Sequence, residues 1–178
     1  MRIAALALLL MLVSPSPCVA EDIHKEKSLY RSIVVRETGA RRCLVFTIKR
    51  GDRNQTCMDL INPKLLVFPY VQMTFAGLLI VPEPINILVI GLGGGSIPAT
   101  LTELFPAATI DVVEIDEAVN RVAKAYFAFR ETPRMKVAVM DGRVFVKRAI
   151  LSKDRYDLII HHAFTGFWIA PGNTRDLG

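Results

Sequence analysis

The stretch from Ile85 to Gly95 constrains this chain more than any other. Ile85 to Ile90 is an unbroken apolar run, as expected for a strand buried on both faces of a parallel sheet. Gly91-Leu92-Gly93-Gly94-Gly95 follows at once, and Ser96 to Phe105 then reads as a helix with Pro98 tolerated in its first turn. Glycines let a backbone turn sharply and approach a ligand with no Cβ in the way. The start of the following helix offers N–H groups to a polar or anionic ligand. Strand, glycine turn and helix in that order open a βαβ unit of the nucleotide-binding kind.

The alternation continues downstream. Thr109 to Glu114 reads as the next strand, and Asp116 can cap a helix from Glu117 to Phe129. Met135 to Met140 is a third strand, Asp141 can cap a helix through Ala149, and Tyr156 to His161 is a fourth strand. Strands alternating with helices require right-handed crossovers and a parallel sheet, so the class is α/β. Upstream the pattern is different. Tyr30 to Glu37 and Cys43 to Ile48 are β-branched and aromatic runs separated by Thr38-Gly39-Ala40, and Gln55 to Leu60 adds a third short strand. Pro63 opens an apolar helical stretch through Leu79, which Pro69 bends or interrupts. Val81-Pro82-Glu83-Pro84 is a stiff break. The expected organisation is a small N-terminal β-hairpin domain with a connecting helix over residues 21–80. A partial nucleoside-binding, Rossmann-like domain follows over residues 81–178.

Residues 1–20 stand apart. Arg2 gives a positive start, Ile3 to Val13 is apolar, Ser14-Pro15-Ser16-Pro17 breaks any helix, and Cys18-Val19-Ala20 offers small residues for cleavage. The apolar run is short for a membrane span, so it reads as a signal peptide cleaved after Ala20. The expectation is an exported, soluble protein with no membrane attachment. Cys43 and Cys57 remain, equidistant from a turn at Arg50-Gly51-Asp52. A hairpin there sets them opposite each other, as a disulfide in an oxidising compartment or as two buried thiols.

Composition removes several classes. With 52% hydrophobic and 22% charged residues, disorder, collagen and disulfide-dense scaffolds are excluded. Three cysteines are too few for a four-cysteine zinc cluster, and no metal site is expected. His161 and His162 are adjacent on a strand and point to opposite faces, which argues against a shared metal. The net charge of +5 is unevenly placed: residues 21–80 hold 10 Lys/Arg against 6 Asp/Glu, and residues 81–178 hold 11 of each. Arg41, Arg42, Lys49, Arg50 and Arg53 flank the hairpin and read as its solvated face rather than as a nucleic-acid patch.

The candidate site gathers at the strand ends. Glu114 lies 23 positions after Gly91, where a carboxylate can accept hydrogen bonds from both ribose hydroxyls. Asp141-Gly142 at the end of the third strand is placed to accept from an adenine amino group. With Gly91, Gly93, Gly95 and Asp116 these form the nucleoside-binding set, although Asp116 and Asp141 read equally well as helix caps.

The runs Ile87-Leu88-Val89-Ile90-Gly91-Leu92-Gly93-Gly94-Gly95, Val112-Val113-Glu114-Ile115-Asp116, Met140-Asp141-Gly142 and Tyr156-Asp157-Leu158-Ile159-Ile160 resemble the spermidine synthase (polyamine aminopropyltransferase) family. The resemblance covers about residues 28–164. It implies a methyltransferase-like Rossmann domain behind an N-terminal β-domain. The implied co-substrate is decarboxylated S-adenosylmethionine or S-adenosylmethionine, with no tightly bound cofactor. Gly91, Gly93 and Gly95 match the turn that holds the nucleoside, Glu114 the ribose-binding acid, and Asp141-Gly142 the adenine-side pair. Gln55-Thr56 and Tyr70 fall where the family has similar residues, and Gln55 and Tyr70 are the substrate-binding positions that the resemblance implies. Four positions depart from the family pattern: Arg31 replaces a Gln, Val71 a His, Gly94 an Asp in the turn, and His162 the Asp that handles the attacking amine. A polyamine is a cation whose pocket needs carboxylates, so these departures argue against a polyamine acceptor. His162 remains the candidate general base.

Three functions follow. The first is a spermidine-synthase-type transferase, and the second a methyltransferase on the same scaffold. The third is an exported or vestigial protein that binds the nucleoside without turnover. A methyltransferase-like sheet has seven strands, and four are read before Gly178. The expectation is a truncated sheet whose open edge is exposed or covered by a partner, such as a second copy in a homo-oligomer.

Overall fold

The computed structural model describes residues 19–48 and 51–163. Residues 1–18 of the expected leader (1–20), Lys49 and Arg50, and residues 164–178 lie outside the described residues.

The first sheet is antiparallel, with strands β1 (Glu21–Lys27), β2 (Ser32–Thr38), β3 (Arg41–Ile48) and β4 (Gly51–Asp59) in chain order. β2 is buried on both faces, which explains its continuous apolar run. Ile33 and Val35 face one way, with Leu44 and Phe46 of β3. Val34 faces the other, with Cys43, Val45 and Cys57, under Val67 and Phe68. β1 was not expected from the sequence. Its residues, Glu-Asp-Ile-His-Lys-Glu-Lys, lack apolar alternation, and it forms as an edge strand through its ladder with β2 and an ion pair from Asp22 to Arg36.

The hairpin differs from the symmetric expectation in register. Gly51 and Asp52 already belong to β4, with Ile48 opposite Gly51, so the centre of symmetry is not Arg50. Cys43 still faces Cys57, because β4 carries one extra residue: Leu44 pairs with Thr56 and Val45 with Asn54, leaving Gln55 as a bulge. A disulfide joins Cys43 to Cys57.

The helix expected from Pro63 to Leu79 is shorter. Residues 61–67 are irregular, α1 spans Pro69–Thr74, and a 3₁₀ turn covers Phe75–Leu79. Pro69 therefore starts the helix, where its missing N–H costs nothing, rather than bending it.

The second sheet is parallel: β5 (Asn86–Ile90), β6 (Thr109–Glu114), β7 (Met135–Val139) and β8 (Leu158–His161), in spatial order β7-β6-β5-β8. The crossovers are α2 (Ser96–Leu104), α3 (Glu117–Tyr126) and α4 (Gly142–Ser152). Strand order reverses between β5 and β8, which opens a crevice at their carboxyl ends, where such sheets bind ligands. Ile87, Val89, Ile110, Val112, Met135 and Ile160 form the core with Ile97 and Leu101 of α2.

Helix α3 belongs to both halves. Ala123 packs into the parallel-sheet core, while Ala118, Val119 and Val122 pack on Ile33, Val35 and Leu44 of the first sheet. Each fully buried aliphatic side chain there is worth about 1.5–3 kcal/mol. Polar ties hold both helix ends. Ser28 Oγ donates to Asp116 at the N-terminus, and Arg42 Nη1 donates to the Tyr126 carbonyl at the C-terminus, 2.7 Å away. A guanidinium is favoured at that end by the helix dipole. Arg42 also pairs with Glu37, so this member of the basic cluster is part of the fold. Among the described residues no helix is long and apolar enough to cross a membrane, and no three His, Cys, Asp or Glu residues gather as a metal site.

Candidate functional site

The glycine turn leaves β5 into the crevice with Gly91, Gly93 and Gly95 all at positive φ, +101°, +57° and +82°. Space forbids a side chain at two of them as well. A Cβ on Gly91 would lie 2.8 Å from the His162 carbonyl oxygen, and one on Gly95 would collide with the Phe129 ring. Gly94 is crowded without a positive φ: a Cβ there would lie 2.6 Å from Thr56 Cγ2 and 3.2 Å from Phe127 Cδ1. The Asp that the resemblance leads one to expect at this position would meet the same atoms. Thr56, 4% exposed, fills the space its side chain would need.

Glu114 ends β6 and closes the turn from below. Its Oε2 accepts from the Leu92 N–H at 2.9 Å and its Oε1 from the Asp116 N–H at 3.0 Å. Each carboxylate oxygen accepts two hydrogen bonds, so one lone pair on each remains for a vicinal diol. The residue that can bind a ribose is thus also the residue that shapes the glycine turn.

The two aspartates differ. Asp116 is only 2% exposed, caps α3 by accepting from Ala118 N–H, and accepts from Ser28 Oγ. It binds the two sheets together, and its oxygens are turned to that task rather than to the crevice. Asp141 caps α4, accepting from the Arg143 backbone N–H at 2.8 Å and from the Arg143 guanidinium at 2.7 Å. The Arg143 guanidinium, then its backbone N–H, hold the Asp141 carboxyl down to about 2, so it is ionised throughout the physiological range. Gly142 sits behind it, where a Cβ would lie 3.0 Å from Ile90 Cγ2.

On the far side of the turn, three rings are stacked. Phe68 lies on Tyr70 at 5.6 Å, and Tyr70 on His162 at 5.5 Å, with interplanar angles of 20° and 15°. The His162 ring overhangs the turn, with Cε1 3.7 Å from a Cβ placed on Gly93. Tyr70 Oη donates to the Gln55 carbonyl at 2.9 Å and lies 3.2 Å from His162 Nε2. Burial, then the neighbouring His161, lower the His162 pKa from its ordinary value, while burial raises that of Tyr70. Gln55 takes part through its backbone, since its carboxamide donates to the Arg53 carbonyl. His161 follows Ile160 in β8 and is exposed, away from the stack. Arg31 lays its guanidinium over Phe46 at 4.2 Å, with Nε buried and unpaired among the described residues.

The structure thus brings Gly91, Gly93, Gly95 and Glu114 together at the carboxyl end of the parallel sheet, with Tyr70 and His162 beside them. Phe68 was not singled out from the sequence. Thr56 was noted only through the family resemblance, and its contact with Gly94 is recognisable only once β4 is seen against the turn.

The sequence pattern of the spermine/spermidine synthase domain matches residues 70–165. A polyamine aminopropyltransferase of Vibrio vulnificus (strain CMCP6) is 49% identical over 166 residues, covering 92% of this chain and 55% of that protein. Spermidine synthase from Thermotoga maritima superposes with a TM-score of 0.62 at 19% identity, covering 82% of this chain and 47% of that one. Human methyltransferase-like protein 13, solved in complex with SAH, superposes with a TM-score of 0.51 at 32% identity, covering 56% of this chain and 49% of that one. The chain spans about half the length of these relatives. On these matches the chain belongs to the spermine/spermidine synthase family, with its methyltransferase-like fold.

Proposed function

We propose that this protein binds a sulfonium nucleoside, S-adenosylmethionine or its decarboxylated form, and supports alkyl transfer from it to an amine. One observation carries the reading: the Glu114 carboxylate holds the glycine turn through two backbone N–H groups and keeps a lone pair on each oxygen for the two ribose hydroxyls. Asp141, ionised and half-buried at the next strand end, supplies an acceptor for the adenine amino group.

The reaction on such a site is a direct displacement. The amine lone pair forms an N–C bond to the carbon beside sulfur, the C–S bond breaks, and its electron pair stays on sulfur as a neutral thioether. The nitrogen loses one proton to a base. His162, overhanging Gly93 with its pKa lowered, is the candidate for that proton. Little else is needed chemically, so catalysis rests on holding the two reactants in line.

Gly94 supports the second reading, methyl transfer from S-adenosylmethionine. The carboxylate that would grip the amine of the donor's chain has no room beside Thr56. The 32% identity to a methyltransferase-like protein points the same way. Export after removal of residues 1–20 is also part of the proposal, supported by the leader-like sequence and the Cys43–Cys57 disulfide. It favours the third reading, binding without turnover, because sulfonium nucleosides are cytosolic products.

Calorimetric titration of the protein with S-adenosylmethionine, decarboxylated S-adenosylmethionine and methylthioadenosine tests all three readings. Binding of at least one is expected, and heat from none of them rejects nucleoside binding. Binding with product in a putrescine assay supports the transferase. Methylation of an amine acceptor supports the second reading, and binding without product the third.

A further inference from the structure

We propose that the outward face of α4 docks on an anionic lipid surface. α4 packs on the protein through a narrow seam: Ala149 is buried, with Phe145 and Val146 half-buried beside it. The opposite side holds Val144, Lys147, Arg148 and Leu151, at the i, i+3, i+4, i+7 spacing that sets four side chains on one helix face. All four are exposed. Val144 is 42% exposed and Leu151 83%, with Ile150 at 64% on the flank. A helix on a protein surface ordinarily turns polar residues outward and keeps its aliphatic ones for the seam. Here two aliphatic side chains stand two turns apart on the outward stripe, with two cations between them.

Charge points the same way. Residues 81–178 are balanced as a whole, yet from Asp141 to Arg155 five Lys or Arg stand against two Asp, and Gly142 to Lys153 holds no acid at all. Arg143 is committed to Asp141. Lys147, Arg148, Lys153 and Arg155 have no ion-pair partner among the described residues. These cations call for an anionic partner, and the aliphatic pair among them decides its kind. A second copy of this face would set like charges against each other. A nucleic acid would pair with the cations but leave Val144 and Leu151 with nothing apolar to meet. A lipid surface serves both: headgroup phosphates take Lys147 and Arg148, and the aliphatic side chains pass beneath them into the acyl layer. Lying on a surface needs no spanning helix, and none is present among the described residues. The contact belongs to the folded protein, not to the leader, and it does not rest on nucleoside binding.

The test is co-sedimentation of the full chain with vesicles of phosphatidylcholine alone, and of phosphatidylcholine and phosphatidylglycerol in equal parts. The leader is present in every sample, so its own affinity cancels between variants. The wild type should bind the mixed vesicles more tightly than the neutral ones, and lose that excess in about 1 M salt, where the screening length is about 3 Å. Lys147→Gln combined with Arg148→Gln should weaken binding to mixed vesicles on the order of twentyfold, or about fivefold for each cation. Leu151→Ser should weaken it on the order of tenfold through lost apolar burial. All three side chains are exposed, so the variants should keep the wild-type circular dichroism spectrum. Equal binding of the wild type to both kinds of vesicle overturns the proposal, whatever the variants do, and leaves the face to a protein partner. Loss in the double variant without loss in Leu151→Ser also overturns it, because adsorption of a cationic patch needs no aliphatic residue. A salt-insensitive dimer in sedimentation equilibrium, broken by Leu151→Ser, gives the face to a second copy instead.

Discussion

Placing a methyl group on Gly94 should destabilise the protein, and trimming Thr56 should relieve it. Gly94 is the one crowded glycine of the turn whose φ is not left-handed, so Gly94→Ala tests space without backbone strain. The new Cβ would stand 2.6 Å from Thr56 Cγ2, against about 3.5–4.0 Å for a relaxed carbon contact. Thr56 is buried in a β ladder and cannot swing aside freely. Overpacking of this kind costs about 1–3 kcal/mol. For a chain of this size each kcal/mol lowers Tm by about 2–4 °C. Thr56→Ser removes the offending methyl, at a loss of about 0.8 kcal/mol in buried surface. The Gly94→Ala cost should then fall by about 1 kcal/mol or more in the Thr56→Ser background, leaving the 3.2 Å approaches to Phe127 Cδ1 and to the retained hydroxyl Oγ1 as the residue of it. Urea denaturation of the four proteins of this cycle measures the coupling. Equal Gly94→Ala costs in both backgrounds would falsify the steric account of the missing aspartate. If the coupling appears, Gly94→Asp with Thr56→Ser becomes the variant in which to look for tighter binding of the decarboxylated, more cationic donor.

Three further outcomes can be measured. Glu114→Gln keeps one acceptor oxygen but loses the second, and should weaken S-adenosylmethionine binding at least tenfold by calorimetry, the cost of about 1.4 kcal/mol from one charged hydrogen bond; unchanged affinity removes Glu114 from the site. Reducing the Cys43–Cys57 disulfide, with its sequence separation of 14, should lower unfolding stability by about 3 kcal/mol in denaturant with and without a dithiol, and an unchanged midpoint refutes a bonded pair. The lowered pKa of His162 means that the unfolded chain takes up the proton first as pH falls through 6.5. Its contribution is therefore complete above pH 6.5 and lost as pH falls from there towards the depressed folded value. The stability drop from pH 7.5 to 5.5 should be smaller in His162→Gln, and equal drops contradict the burial argument.

The parallel sheet was legible because its strands are buried on both faces and write continuous apolar runs, from Ile87 to Ile90 and from Val112 to Val113, between cappable helices. Gly91, Glu114 and Asp141 were legible because a turn, a strand end and a cap each leave a local signature. β1 was not, since an edge strand held by its ladder and ion pairs needs no apolar pattern. The short α1 was misread because Pro63 to Leu79 is apolar throughout, and periodicity cannot separate a helix from an irregular segment covering a sheet. Thr56 beside Gly94 and the bulge at Gln55 depend on how two distant segments meet, which no local spacing records. Asp116 shows the converse: its position in the sequence fits a ligand contact, yet tertiary structure directs its carboxylate to Ser28 and the helix end.

The bulge at Gln55 changes what drift in this hairpin can do. Its contribution to the site is a peptide oxygen, which every amino acid possesses, and its own carboxamide reaches only the Arg53 carbonyl. Side-chain identity at position 55 can therefore wander among relatives with little effect on the site. The number of residues between Asn54 and Thr56 cannot, because one fewer leaves every ladder pair in place and takes the oxygen away. Selection at this point acts on counting rather than on chemistry, and a comparison of related hairpins should find length held more tightly than sequence.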